Sequence, residues 1–275
     1  MVKKIIIWAS ALTITIILAI FQYRTSPGYP ATYLVVIGDE VYESSLIRSN
    51  SSSKECLLEI KIDDKDVNGH AYYRKYKSNE AYKSLKFTRY HDELVAVIPS
   101  QYPTGKVEYY VELVKDTKKY SLAKKEPVVV HFKRDVPFYV LIPYSIFIFM
   151  AVFFSVLCGL YVILKIESYQ RYIKVAFYCL LIGGFILGPL VQKIQYNVFW
   201  AGLPFGYDLK STKFLIVFLF LWWAYWANRK KARPVSVMTV FIVTLVMGLI
   251  PNNLELKLDK ISSKPAIILL DNFNL

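Results

Sequence analysis

Two groups of residues in this chain have the side chains to do chemistry. The first is His70, His91 and His131, with Asp92 and Glu93 beside the second of them. Imidazoles and carboxylates are common ligands of zinc and other transition metals. These three fall in separate segments, so they read as ordinary surface or sheet histidines, and no metal site is expected. The second group is Lys193, Trp200, Asp208, Lys210 and Lys213, set among Tyr196, Phe199, Phe205 and Tyr207. Lys210 and Lys213 stand three apart in the first turn of an expected helix, where free backbone N–H groups favour anions. The cluster suits a lipid phosphate or another anionic head group. Lysines and aromatics also anchor helix ends at a membrane interface without binding anything specific, so both readings stay open. Catalytic patterns are missing: there is no Walker loop, no G-x-S-x-G, no H-E-x-x-H and no paired C-x-x-C. No catalytic residue and no cofactor is expected, and an enzyme is the less favoured class.

The elements that must position the lysine and aromatic cluster are apolar runs. With 55% hydrophobic residues among 275 and a mean hydropathy of +0.34, the chain is too apolar for an ordinary soluble protein. Its net charge of +13 invites a nucleic-acid reading. The distribution argues otherwise: residues 24–135 hold 19 Lys+Arg against 16 Asp+Glu, whereas Lys3-Lys4 and residues 165–174 and 229–233 together hold 9 against 1. Those short segments lie beside apolar runs, where positive residues set membrane orientation. Nucleic acid is not implied.

Residues 5–21 form a 17-residue apolar run behind Lys3 and Lys4. Gln22-Tyr23-Arg24 follows instead of a small-x-small cleavage site, so the run reads as a retained signal anchor. Residues 138–164, 175–190, 214–227 and 235–250 supply four more runs, with Pro143 marking a kink or the true start of the first of these. Asp208 can cap the fourth helix and lengthen it, and Trp222, Trp223, Tyr225 and Trp226 form an aromatic belt at its inner end. Five spans place every cationic cluster on one side. The N-terminus is then cytoplasmic, and residues 24–135 and the C-terminal tail are extracytoplasmic. Gly184 and Gly188 have the small-xxx-small spacing that lets helices approach closely, and internal packing is favoured over dimerisation.

Between the first two spans, strand signals recur at 33–37, 56–62, 71–76, 85–90, 94–98, 107–114 and 127–133. Asn68-Gly69 is an expected turn, and the Ser-rich stretch 44–54 an expected mobile loop. Short strands at this rhythm point to an antiparallel sandwich. The corner in IPSQYPTGKVEYYVEL resembles that between strands E and F of immunoglobulin-like and fibronectin type III domains, with Tyr109 as the corner tyrosine. The fold class is therefore mixed: an exported all-β immunoglobulin-like sandwich inserted between helix 1 and helix 2 of a five-helix transmembrane bundle. The domains are 1–23 (the anchor helix), 24–135 (the exported β domain), 136–251 (a four-helix bundle) and 252–275 (an exported tail). No Gly or Ser spacer separates the β domain from the second span, so a fixed attachment is expected. The tail alternates at Leu254, Leu256 and Leu258 and has a second apolar run at 266–270. It either packs back on the β domain or stays free for another protein's sheet edge. Cys158 and Cys179 sit in apolar runs, and Cys56, alone in the β region, could serve an intermolecular disulfide.

The segments VEYYVEL, EPVVVHFKRDVPFYVLIPYSIFIFM, GPLVQK, FWAGLPFGYDLKSTK and IPNN together resemble a family of uncharacterised bacterial multi-pass envelope membrane proteins with the same order of parts, over about residues 56–251. The resemblance implies architecture and an inner-membrane location, and no activity. The expected function is a scaffold: an inner-membrane protein presenting its β domain to protein partners in an envelope complex. The alternative is a lipid-handling or transport protein that binds an anionic lipid at Lys193, Trp200, Asp208, Lys210 and Lys213. No oligomeric state follows from the residues.

Overall fold

The computed structural model describes residues 2–206 and 208–254, which form two compact units. Of the described residues, the first comprises 2–27, 141–189, 200–206 and 208–254, and the second 28–140 and 190–199. The tail segments beyond Leu254 lie outside the described residues, as does Tyr207.

The first unit is helical. α1 (Val2–Arg24) buries Ile7, Ala11, Thr15 and Leu18, at helical spacing, and leaves Ile5, Ile6, Leu12, Ile16, Ile17 and Ile20 exposed. One stripe thus packs on the bundle while an aliphatic surface faces outward, as in a helix surrounded by lipid. α2 (Phe138–Ile163) starts ahead of Pro143 and ends at Lys165, whose positive φ of 56° closes a Schellman turn. There Lys165 N–H donates to Val162 and Ile166 N–H to Tyr161, at 3.0 and 2.8 Å. The expected run 175–190 is part of a longer helix, Tyr169–Tyr196, made of α3 (Tyr169–Leu180), a π-helical segment (Leu181–Leu187) and α4 (Gly188–Tyr196), whose residues from Leu190 on belong to the second unit. α5 (Leu209–Ala227) and α6 (Pro234–Leu249) complete the set. Val2–Arg24, Phe138–Ile163 and Tyr169–Tyr196 are long and apolar enough to cross a membrane, whereas the apolar α6 is shorter. Two buried hydroxyls inside these helices bond four residues back, Thr15 to Ala11 at 2.8 Å and Ser155 to Ala151 at 2.7 Å. Their polarity is thereby satisfied without water.

The second unit holds eleven strands in three sheets. β1 (Ala31–Ile37) and β2 (Glu40–Leu46) form a hairpin whose two-residue loop opens on Gly38 at φ 66°. The six-stranded sheet runs β3 (Ser49–Ser51), β11 (Val128–Lys133), β9 (Lys106–Lys115), β5 (Asn68–Lys75), β6 (Lys83–Lys86), with β10 (Lys118–Leu122) on the far half of β9. β4 (Cys56–Lys61), β8 (Glu93–Ile98) and β7 (Thr88–Tyr90) make the third sheet. Their buried faces share one core that includes Leu46, Ile60, Leu94, Tyr109 and Phe132. β4 alternates buried and exposed along its whole length, the period-two pattern of a sheet with one wet face.

Several details differ from expectation. The stretch 44–54 contains the end of β2 and all of β3, because Ser44 and Leu46 point into the core and are about 1% exposed. Asn68 and Gly69 open strand β5 instead of turning. A Cβ on Gly69 would sit 2.9 Å from the Leu113 side chain and 3.1 Å from the Glu112 carbonyl oxygen, so glycine eases the close approach of β5 to β9 there. The expected strand 85–90 is cut at buried Phe87, where the chain leaves the six-stranded sheet for the three-stranded one. The Tyr109 hydroxyl does not close a local corner. It donates to the Ile47 carbonyl, 62 residues upstream, at 3.1 Å. Cys56 is fully buried, and burial pushes its thiol up to about 11, so it offers no surface thiol for a disulfide between chains.

Candidate functional site

The loop before α5 is drawn tight by its glycines and by Asp208. Phe205 N–H and Gly206 N–H both donate to the Gly202 carbonyl, and Asp208 N–H donates to Ala201 at 2.9 Å. The Asp208 carboxylate accepts from Ser211 N–H at 2.8 Å and from the Ser211 hydroxyl, as an N-cap does. The loop that results holds Leu203 and Phe205 outward, the latter 85% exposed. Trp200 lies flat on Phe185, with ring centroids 5.4 Å apart, and donates to the Leu203 carbonyl. Lys210 sits over the Tyr144 ring at 5.2 Å.

Lys213 points the other way, into the bundle, and is only 5% exposed. Its ammonium donates to Ile250 O at 2.5 Å, Asn252 Oδ1 at 2.7 Å and Gln22 Oε1 at 3.3 Å. Gln22 Nε2 in turn donates to the carbonyls of Gly248 and Ile250, and Asn252 Nδ2 to the Gln22 carbonyl. α1 and α6 both end at this cluster, and helix C-termini carry unpaired carbonyls with partial negative charge. The ammonium has three donors and meets three acceptors. The three N–H bonds of Lys213 are therefore met from within, by a helix-end carbonyl and amide oxygens. Lys193 belongs to the other unit, where it donates to the Asn197 carbonyl and lies over Phe199 at 4.9 Å. The five expected ligand residues thus have separate partners in the described structure.

A Cβ on Gly184 would lie 3.3 Å from Leu180 of the same helix and 3.9 Å from Phe214, and one on Gly188 3.3 Å from the Gly183 carbonyl and 3.8 Å from Tyr144. The tight approach is at Gly183, where a Cβ would fall 2.9 Å from Phe147 on α2. Gly159 on the same helix as Phe147 is tighter still, at 2.2 Å from Phe241 of α6.

In the β unit, charged groups are organised around the side of β9 that faces away from the core. Glu108 and Glu112, each 9% exposed, are covered by cations: Arg74 Nε lies 2.5 Å from Glu108 and Lys124 Nζ 2.6 Å from Glu112. The Tyr82 hydroxyl also donates to Glu108, and Arg74 stacks on the Tyr82 ring at 4.4 Å. Tyr72 and Tyr110 stack between the two ion pairs at 5.0 Å. Arg74 and Lys124 are held in their charged forms chiefly by the hydrogen bonds to these carboxylates.

Asp64, Asp66, Asn68 and Gly69 have the opening D-x-D-x-N-G spacing of a cation-binding loop, but Lys75 stands where such a loop has its closing glutamate, and the chain fills the loop with its own cations. Arg89 donates to the carbonyls of Ile62, Asp64 and Val67 at 2.6, 2.7 and 2.8 Å. Lys115 pairs with the Asp64 carboxylate at 2.7 Å. Lys115, followed by the Asp66 N–H, holds the Asp64 carboxyl below its usual range. His70, His91 and His131 stay apart, and no group of three or more metal-ligating side chains converges among the described residues.

No protein-family model matches this chain, and no curated protein matches it. The reading of its function accordingly rests on its own geometry.

Proposed function

We propose that this chain is a multi-pass protein of the bacterial inner membrane, of the kind it resembles in sequence, and that its β unit is an exported immunoglobulin-like sandwich that docks protein partners in an envelope complex. The reading takes five spans, with the N-terminus cytoplasmic and the β unit and tail outside. The observation that carries it is the division of labour on the β unit's surface. Polar groups that could converge on a substrate are paired with one another, as Arg74 is with Glu108 and Arg89 with three carbonyls. Apolar residues stand open on the β1–β2 hairpin, where Leu34, Val36 and Val41 are each more than half exposed. Such a surface suits recognition of another protein better than catalysis.

Mild crosslinking in native membranes followed by affinity capture tests the proposal. A stable protein partner, joined through residues of the β unit, is the expected result. Recovery of the chain alone would count decisively against it. Mass spectrometry of lipids retained by the purified protein addresses the alternative: a head-group site at the outer helix ends requires one anionic lipid that Lys210→Ala loses.

A further inference from the structure

Among the described residues, β6 is an edge strand of the six-stranded sheet, paired only with β5, and β7, beyond Phe87, is an edge strand of the three-stranded sheet, paired only with β8. Unpaired N–H and C=O groups along such an edge form a template for an added strand. The charge around it is one-sided: residues 74–86 carry Arg74, Lys75, Lys77, Lys83 and Lys86 against Glu80 alone. Lys83 and Lys86 are both exposed and lie on opposite faces of the edge strand. They repel a second copy of the same edge and attract a strand of opposite charge. Beside Lys83 lies a cleft of about 330 Å3 lined by Tyr73, Pro99 and Val107 and by three cations, Arg74, Lys75 and Lys83, against the single carboxylate of Glu80. It can take a side chain with an apolar stem and an anionic end. Asp39, Glu40 and Glu43 lie on the β1–β2 hairpin and Asp63, Asp64 and Asp66 follow β4, so none of these six carboxylates stands on the β6 edge, where Lys83 and Lys86 favour a negative partner.

We propose that β6 is the docking edge for an extended acidic segment of a partner protein, which adds as a strand and sets a glutamate-like side chain into the cleft. This rests on the reading of the β unit as a protein-docking module and names the surface and the chemistry of the partner.

The test uses the full-length protein in lipid nanodiscs and a fluorescein-labelled octapeptide of alternating Glu and Val, read by anisotropy. The wild type should bind, with affinity that falls as salt rises. Lys83→Glu with Lys86→Glu should weaken binding by about tenfold or more, and a Lys-Val peptide should not bind. Lys118→Glu with Lys119→Glu, a control on exposed β10, should leave binding unchanged. Loss of equal size in both double variants would reveal general charge attraction and overturn the proposal, as would a wild type that fails to bind. A benzophenone side chain placed at Ser84 or at Leu34 adds a readout that needs no charge reversal. Peptide crosslinked from Ser84 and not from Leu34 supports the edge. A native partner captured through Leu34, with no peptide captured at Ser84, would sink this inference while leaving the docking function standing.

Discussion

Lys213 in the helical unit and Arg89 in the β unit are both cations held by amide oxygens instead of carboxylates, and they do so by different means. Lys213 gathers acceptors from two distant places, Gln22 and the Ile250–Asn252 segment, because α1 and α6 end beside the start of α5. Arg89 gathers Ile62, Asp64 and Val67 from one short loop, which a planar fork of donors can span. The lysine therefore joins elements remote in sequence, and the arginine fixes a local turn. A buried cation is evidence of a ligand site only after its internal acceptors have been counted.

Variants can break this comparison in order of size. Lys213→Met should have the largest effect, about 3 kcal/mol of stability lost, because the oxygens that accept its three N–H bonds lose those donors in a water-poor setting. Hydrogen exchange should rise near Gln22 and at 248–252 and stay unchanged over 62–69; exchange confined to α5 would show that the lysine does not join the three helices. Arg89→Met should cost about 2 kcal/mol and produce the mirror pattern, with exchange rising over 62–69 alone. Arg89→Lys sharpens the point: one ammonium cannot reproduce the guanidinium fork, so roughly half of that loss, about 1 kcal/mol, should remain. Full stability in the lysine variant would mean that charge, and not geometry, holds the loop.

The smallest effect is expected at Asp64. Its folded-state carboxyl is depressed, so its contribution is present above the unfolded-state value near 4 and is lost as pH falls through the lower folded value. Asp64→Asn should leave the alkaline limb of a pH–stability profile alone and flatten the limb below about pH 4. An unchanged acid limb would remove the Lys115 pair from the account.

Much of the helical unit was legible because lipid imposes length and apolarity on a helix. The runs at 5–21 and 138–164 fall within α1 or within a residue of α2, and Asp208 caps α5. The run at 175–190 was too short because Tyr169, Gln170, Arg171 and Lys174 continue the helix in polar letters. In the β unit the alternating strands β4, β8 and β11 were visible. β2, β3 and β10 were not, since Ser44, Ser49 and Lys118 carry no β signal of their own and are strands because of what they pair with. Lys193, Trp200, Asp208, Lys210 and Lys213 were legible as residues close in sequence; the internal partner of each, such as Ser211 for Asp208 and Asn252 for Lys213, was not. Gln22 and Asn252 escaped notice because single amides at the ends of apolar runs look like ordinary boundaries.

By itself, the sequence determined which segments must avoid water and which alternate, because hydropathy and period are properties of neighbouring residues. Only the tertiary structure decided what the charges do. Whether Lys213 meets a head group or the ends of α1 and α6, and whether Arg89 faces solvent or three carbonyls, depends on residues up to 191 positions away brought within hydrogen-bond reach.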